Sequence, residues 1–176
     1  MVARLRAQKG FGLIELLMAM TILNIGILAI VAAFNSGTIA IARASHISTS
    51  AALADAQMEL YRALTYNSIA LDSTSLGSVD NTYKCDSALG ASCPNSTSAE
   101  VTTTCSGSPV PNECNPSRSV AGADHHKYRI DTYIVTQTPT AQSRAVKVVT
   151  VVVRDGSTLS ARPFAREAST FDQSTG

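Results

Sequence analysis

The feature that most constrains this chain is an apolar run from Phe11 to Ala33, whose only strongly polar members are Glu15, Thr21 and Asn24. A helix of roughly 20 apolar residues crosses the hydrocarbon core of a bilayer. The run is long enough to do so, and it contains no proline. We therefore predict a membrane-crossing N-terminal helix, with the rest of the chain folding outside the bilayer.

The residues before the apolar run set its orientation. Residues 1–10 contain Arg4, Arg6 and Lys9 and no acidic residue. Positively charged flanks stay on the cytoplasmic side of a membrane. We therefore expect a cytoplasmic leader and an exported body that begins after about residue 35.

Two ordinary explanations of this segment are incomplete. A secretory signal peptide has an apolar region of about 7–15 residues before its cleavage site, and this run is longer, although Ile30–Ala33 offers small residues for cleavage. A plain signal anchor fits the length and the orientation. It leaves Glu15 unexplained, because a charged side chain at the bilayer centre costs about 2.5–3.5 kcal/mol. A position near the interface, where Glu15 snorkels toward headgroups or meets Lys9, remains an alternative.

The basic leader, Gly10 and the following FGLIELL (residues 11–17) resemble the class III signal of type IV prepilins and type II secretion pseudopilins. The resemblance covers about the first 65 residues. It implies that a prepilin peptidase cleaves between Gly10 and Phe11 and that the new amino group of Phe11 is methylated. It also implies that Glu15 pairs with the N-terminal amine of a neighbouring subunit in a filament, since charges removed from water are tolerated when paired.

The same resemblance implies a non-enzymatic structural subunit. Its partners would be other pilin subunits, the prepilin peptidase and an inner-membrane assembly platform. It would cross the cytoplasmic (inner) membrane once, with the C-terminus outside, and then enter a pilus or pseudopilus filament. The absence of proline and the stretch MTILNIGIL (residues 20–28) favour a minor pilin or pseudopilin. Motility, DNA uptake and secretion stay open, as does a membrane-anchored extracellular binding module that does not polymerise.

Helical periodicity continues beyond the apolar run. At 100° per residue one stripe is apolar and the opposite face is polar. The apolar stripe comprises Ile47, Ala51, Ala54, Met58 and Tyr61. We therefore predict a single helix from about Phe11 to Tyr66, with a transmembrane first half and an amphipathic second half that packs on the body.

The segment that follows contains all four cysteines, Cys85, Cys93, Cys105 and Cys114. Zinc ligands usually occur in pairs two to four residues apart, and these spacings do not fit. An even number of cysteines outside the membrane indicates two disulfides. Three pairings are possible. Cys85 with Cys93 and Cys105 with Cys114 is slightly favoured, because short loops close most readily.

The last third of the chain predicts antiparallel sheet. Tyr128–Thr136 and Ala145–Arg154 are rich in aromatic and β-branched residues, and Thr158–Ala165 is expected to return as a third, edge strand. The fold class is therefore α+β and pilin-like, with a long N-terminal helix packed on a C-terminal antiparallel sheet. The expected segments are a leader (1–10), a transmembrane half-helix (11–36), an amphipathic half-helix (37–66), a disulfide-containing loop region (67–122), a sheet (123–165) and a polar tail (166–176).

No catalytic constellation is evident, and we expect neither an enzyme nor a cofactor. His125 and His126 beside Asp124 suggest a metal, but adjacent side chains point apart and no further ligands are spaced to join them. The net charge is +1. Five cations of the sheet region are interleaved with acids, which favours a solvated face and makes nucleic-acid binding unlikely. They are Lys127, Arg129, Arg144, Lys147 and Arg154.

Overall fold

The protein is described by a computed structural model that covers residues 12–140 and 143–173. Its first element is helix α1, Leu13–Arg62. The predicted start at Phe11 lies outside the described residues, and the helix ends before the predicted Tyr66. Its last turn tightens, because Leu64 N donates to the carbonyl oxygen of Tyr61, and a 3-10 turn, Tyr66–Ser68, follows.

The chain divides into two compact units, residues 1–43 and 44–176. The first unit contributes the apolar half of α1. The described part of the chain contains one helix that is long and apolar enough to cross a membrane, and it is α1. The predicted span therefore coincides with a helix.

The second unit continues from α1 into short elements stapled by disulfides. Strand β1, Leu71–Asp72, pairs in parallel with β2, Thr102–Thr103. Between them lie helix α2, Ser73–Gly77, and helix α3, Asn81–Lys84. Each short helix starts at an aspartate whose carboxylate accepts a backbone N–H: Asp72 from Ser75 and Asp80 from Tyr83.

The rest of the second unit is a four-stranded antiparallel sheet in the order β3-β4-β5-β6. The strands are β3 (Ser117–Ala121), β4 (Lys127–Gln137), β5 (Val146–Asp155) and β6 (Ala165–Phe171). The predicted α+β layout, a long helix followed by an antiparallel sheet, is thereby confirmed.

The central strands are buried on both faces. Tyr128 contacts His46 of α1, so Tyr128, Ile130 and Ile134 of β4 share the face toward the helix. Tyr133 on the opposite face lies against Tyr83, with ring centroids 4.3 Å apart. The sheet is therefore the middle layer between the second half of α1, which we call the helix face, and most of residues 71–116, which we call the loop face. The end of that segment reaches the helix, since Asn112 and Glu113 accept hydrogen bonds from α1.

Two strands fall outside the segments in which the sequence predicted sheet. Strand β3 lies within the stretch expected to be loop, and the third predicted strand begins only at Ala165. Both are edge strands with partly exposed residues, so neither needs the apolar alternation that marks a buried strand. Pro163 has no N–H for a strand ladder, and it lies in the connection before β6.

The hairpin between β3 and β4 sits very close to α1. A Cβ atom at Gly122 would lie 2.6 Å from Tyr128 Cε2 and 2.7 Å from Thr49 Cγ2 of the helix. Such distances are far inside van der Waals contact. Gly122 is therefore required by the close approach of the helix to the sheet.

We predict that Gly122→Ala destabilises the fold by about 1–3 kcal/mol, because the added methyl group must displace the helix or the Tyr128 ring. Gly77→Ala is the matched control, since a Cβ there meets nothing within 4 Å. Urea unfolding of the full chain in detergent, followed by circular dichroism, measures both. Equal midpoints for the two variants would contradict the close approach.

Candidate functional site

The first candidate site is the apolar half of α1. Its large side chains are exposed all round the helix; Phe34, for example, is 72% exposed. A helix that is apolar on every side is typical of a membrane span or of a helix buried in an assembly. None of residues 12–43 is buried within the described structure.

The polar side chains of this segment satisfy themselves. Thr21 Oγ1 donates to the Met18 carbonyl oxygen at 2.8 Å, and Asn24 Nδ2 donates to that of Met20 at 2.9 Å. Bonding to the helix backbone in this way lowers the cost of a polar group in an apolar medium. Thr21 thereby commits its hydroxyl proton to its own helix, and Asn24 commits one of its two amide protons.

Glu15 differs from these two residues. It lies in the first turn of α1, where a carboxylate interacts favourably with the helix dipole. Its side chain makes no hydrogen bond or ion pair with any residue of 12–140 or 143–173. Gly10 and Phe11, the predicted processing residues, lie outside the described residues.

The second half of α1 packs on the sheet with a stripe that differs from the predicted one. Ala54, Met58 and Tyr61 are buried as expected. Ile47 is 44% exposed and Ala51 is also exposed, while Ser50 and Gln57 are buried in their place. The prediction was wrong at these positions because it assumed that only apolar residues face the core.

Hydrogen bonds explain why polar residues are buried there. Gln57 Nε2 donates to the Asn112 carbonyl oxygen at 3.1 Å, and Gln57 Oε1 accepts from Arg118 NH2 at 2.8 Å. Tyr61 donates its hydroxyl to the Glu113 carbonyl oxygen at 2.7 Å. Paired polar groups cost little to bury. The helix is thereby fixed to β3 and to the end of the disulfide region.

The four cysteines form two short-range disulfides. The structure pairs Cys85 with Cys93 and Cys105 with Cys114, which is the pairing that loop closure favours. Cys105 N also donates to Asp72 Oδ1 at 3.2 Å. Each bridge therefore closes a short loop, one directly after α3 and the other shortly after β2.

An alternating set of charges joins the loop face to the sheet. We call it the Arg–Asp network, and it comprises Asp80, Asp86, Arg129, Asp131, Arg154 and Arg166. Arg129 Nε donates to Asp131 Oδ1 at 2.7 Å, and its two terminal nitrogens bind both oxygens of Asp80. Arg154 bridges Asp131 and Asp86, and Arg166 NH2 donates to Asp86 Oδ1 at 2.6 Å.

The network corrects the expectation of a solvated basic face. Arg129 and Arg154 are buried, as is Lys147, whose Nζ donates to the carbonyl oxygens of Tyr66 and Ile69. Only Lys127 and Arg144 of the five cations are exposed. Asp131, one of the interleaved acids taken as a sign of solvation, binds both arginines, and Asp80 and Asp86 of the loop face are their other partners.

The protonation of Asp80 follows from the network. Hydrogen bonds from Arg129 lower the pKa of this carboxyl, and further bonds from backbone N–H groups act in the same direction. Burial opposes the charge of Arg129, but the hydrogen bonds to Asp80 and Asp131 outweigh it and raise the pKa of the guanidinium. Asp80 is therefore ionised at neutral pH.

A second buried group on the loop face is Glu100. The Tyr83 hydroxyl lies 2.7 Å from Glu100 Oε2 and 2.6 Å from the Thr132 carbonyl oxygen, and Glu100 Oε1 has no hydrogen-bond partner. One hydroxyl proton cannot satisfy two acceptors well. A protonated Glu100 would donate to Tyr83, which frees the tyrosine proton for Thr132. Burial raises the pKa of Glu100 to about 7.

The structure adds a third histidine to the pair singled out in the sequence. His46 of α1 and His126 have ring centroids 4.5 Å apart, and His46 Nδ1 lies 2.9 Å from Asp124 Oδ2. His125 is exposed and has a positive φ of 60°, and no ring contact joins it to His46 or His126 in the described structure. In the described residues no group of three or more potential ligands is arranged to hold a metal ion. The cluster therefore connects α1 to the hairpin between β3 and β4 through polar contacts.

Comparison with known proteins adds one finding. Residues 5–31 match the family profile described as prokaryotic N-terminal methylation motif, which is the class III prepilin signal of type IV pilins. The predicted resemblance is thus confirmed over this segment, and the motif supports a type IV pilin-like or pseudopilin precursor. No curated protein and no solved structure matches the chain.

We predict that Asp131→Ala destabilises the fold by about 3–5 kcal/mol. The reason is that Arg129 and Arg154 stay buried but lose the carboxylate that they share. Arg166→Ala is the control. That arginine is 37% exposed and Asp86 keeps Arg154, so its loss costs less than about 1 kcal/mol. Urea unfolding in detergent measures both, and a smaller loss for Asp131→Ala would refute the ranking.

We predict that Glu100 makes stability fall as pH rises. Between its ordinary pKa of 4.5 and the folded value of about 7, the folded protein holds a proton that the unfolded chain has released, so the free energy of unfolding declines across this interval. Glu100→Gln removes this decline. Glu113→Gln is the control and keeps the wild-type profile, because the Glu113 side chain makes no hydrogen bond within the described structure. Melting temperatures from pH 4.5 to 8 test this, and parallel curves for wild type and Glu100→Gln would overturn it.

Proposed function

We propose that this protein is a structural subunit, a minor pilin or pseudopilin, of a type IV pilus-like filament. One combination of features carries the proposal. The N-terminal methylation motif at residues 5–31 overlaps the exposed apolar half of α1, whose first turn contains a carboxylate, Glu15, that has no partner among the described residues. Such a helix needs a membrane first and neighbouring helices afterwards.

Processing follows from the same motif. A prepilin peptidase removes residues 1–10 by cutting between Gly10 and Phe11, and the amine of Phe11 is methylated. A residue without a Cβ at the cut lets the backbone extend into a narrow active site. Removal of the basic leader eliminates Arg4, Arg6 and Lys9, the cations that hold the N-terminus at the cytoplasmic interface.

Assembly then depends on Glu15. A carboxylate costs about 2.5–3.5 kcal/mol at the bilayer centre and less toward the interface, and no side chain of the described helix donates to Glu15. The positive amine of Phe11 on an adjacent subunit supplies the missing charge, and pairing offsets the cost only at the correct stagger of the two helices. Glu15 thus selects the axial stagger between neighbouring subunits of the filament. The inner membrane, crossed once with the C-terminus outside, is the reservoir of subunits.

A second candidate function is a membrane-anchored extracellular module that binds a ligand without polymerising. A polar cleft of about 450 Å³, lined by residues of the loop face and of strand β3, favours it. The anchor would serve equally well if the leader stayed attached, so the two functions differ in processing and in the role of Glu15.

We expect the mature chain to begin at N-methylated Phe11. Mass spectrometry of the N-terminal peptide, purified from a host that contains the prepilin peptidase, measures this directly. The matched variant Gly10→Leu blocks access to the peptidase and should retain the leader. A wild-type chain that starts at Met1, or near residue 33, contradicts the proposal.

We expect Glu15→Gln to insert and be processed normally but to reduce filament yield by about tenfold or more, the effect of losing at least one favourable ion pair. Asn24→Leu is the matched control, because Asn24 bonds only to its own helix, and it should assemble at close to the wild-type level. Sheared filaments are quantified against membrane-inserted subunits. Equal filament yields for wild type and Glu15→Gln would refute the role of Glu15 in assembly, and an absence of filaments from both would support the anchored module instead.

A further inference from the structure

The loop face of the second unit contains a cleft of about 450 Å³ that neither the N-terminal motif nor the assembly proposal uses. Ser117 and Ser119 of β3 and Arg129 of β4 point into it from the sheet; Ser119 and Arg129 are cross-strand neighbours. The stretch from Ser75 to Asp80 forms one wall, and Gly156 and Leu159 form the other. Its volume lies within the range of about 300–1,000 Å³ usual for small-molecule sites.

Three charged residues line the cleft, and they are Asp80, Arg118 and Arg129. Asp80 is ionised, and it is bound through both oxygens by Arg129. Arg118 has no carboxylate partner in the described structure, but it is the cross-strand neighbour of Ile130 and its guanidinium donates to Gln57 on the opposite face of the sheet. The charges that face the cleft itself are therefore paired, and an ionic ligand there would lose hydration with little compensation.

The serine hydroxyls of the cleft present mainly acceptors. Ser75 donates to Asp72 Oδ2 at 2.8 Å, Ser78 to the Ser75 carbonyl oxygen at 2.8 Å and Ser117 to Asp131 Oδ1 at 2.7 Å. Each hydroxyl has only one proton. With that proton committed to the protein, only oxygen lone pairs remain for a ligand.

Donors come from three other residues. Asn115 uses its Oδ1 to accept from Ser117 N, while its amide nitrogen has no partner within residues 12–140 and 143–173. The Ser119 hydroxyl is likewise without a partner there. Each terminal nitrogen of Arg129 makes one bond to Asp80 and keeps a second N–H. Donors and acceptors therefore alternate around one small space.

We infer that this cleft binds a neutral polyhydroxylated ligand, a saccharide unit. A sugar hydroxyl donates and accepts at once, so it complements the serine lone pairs and the amide and guanidinium N–H groups together. An anion would face the lone pairs and a cation would face the donors. Val79 and Leu159 offer small apolar surfaces for the C–H groups of a sugar ring. The inference does not depend on filament assembly.

The test is a titration of the isotope-labelled full chain in a detergent without a sugar headgroup, followed by amide chemical shifts. The probes are glucose, galactose, mannose and N-acetylglucosamine up to about 50 mM, because single sugars bind in the millimolar range at this number of contacts. We expect at least one of them to shift the amides of Ser117, Ser119 and Gly156 in a saturable manner.

Two variants make the result specific. Asn115→Asp keeps the acceptor for Ser117 N but replaces the free amide with a negative charge, and Ser119→Val removes a free hydroxyl. Each should weaken sugar binding by about tenfold. Ser106→Val is the control, because Ser106 is an exposed, unpartnered serine of the described chain outside the cleft, and it should change affinity by less than about twofold.

Three outcomes would overturn the inference. They are no saturable shift with any sugar, equal binding by wild type and both cleft variants, and stronger binding of phosphate, glucuronate or triglycine than of every neutral sugar. Dextran is compared with glucose to separate the two sources of the ligand. Tighter binding of the polymer indicates a surface polysaccharide, and equal binding per sugar unit indicates a free sugar; either supports the cleft.

Discussion

The folded body depends on the burial of charge between its sheet and its loop face. Asp131 and Asp86 are buried on the sheet and in the loop region, and three arginines bind them. Removing such groups from water is costly unless each finds its counter-charge. Asp131 finds its arginines within the sheet, but Asp80 and Asp86 belong to the loop region, so the network is complete only when residues 71–116 cover the sheet. The two disulfides favour that arrangement, because each closes a short loop and so lowers the conformational entropy of the unfolded loop region.

The second half of α1 meets the sheet through a different kind of contact. Tyr61, Met58 and Ala54 provide apolar packing, while Gln57 and Ser50 are buried with their hydrogen bonds satisfied. The first half is exposed and apolar on all sides, which is typical of a helix that lies in a membrane or is surrounded by other helices. One helix thus carries two sequence patterns suited to two environments. Glu15 lies in the first turn of the apolar half, and its side chain has no partner among the residues that the structure describes.

Much of the architecture followed from the sequence. The apolar run, the amphipathic continuation and the β-branched strands predicted a long helix and an antiparallel sheet, and β4 and β5 lie close to their predicted positions. The errors were of one kind. Strand β3, strand β6 and the buried Ser50 and Gln57 carry polar residues, so a search for apolar periodicity passed over them. Arg129 and Arg154 were also polar residues that the sequence analysis placed in solvent. The pattern of charges along the chain does not show which acids will lie beside them in the fold.

What the sequence alone determined is therefore local. The apolar length, the basic leader and the position of Glu15 specify a membrane-entering helix with a processing motif, because hydrophobic length and charge placement act without reference to the rest of the chain. Only the tertiary structure decided which charges are buried and where a cleft opens. Those features require residues distant in sequence, such as Asp80 and Arg129 or Ser78 and Ser119, to meet across layers. Such meetings are set by packing and by the pairing of buried polar groups, and no short stretch of sequence records them.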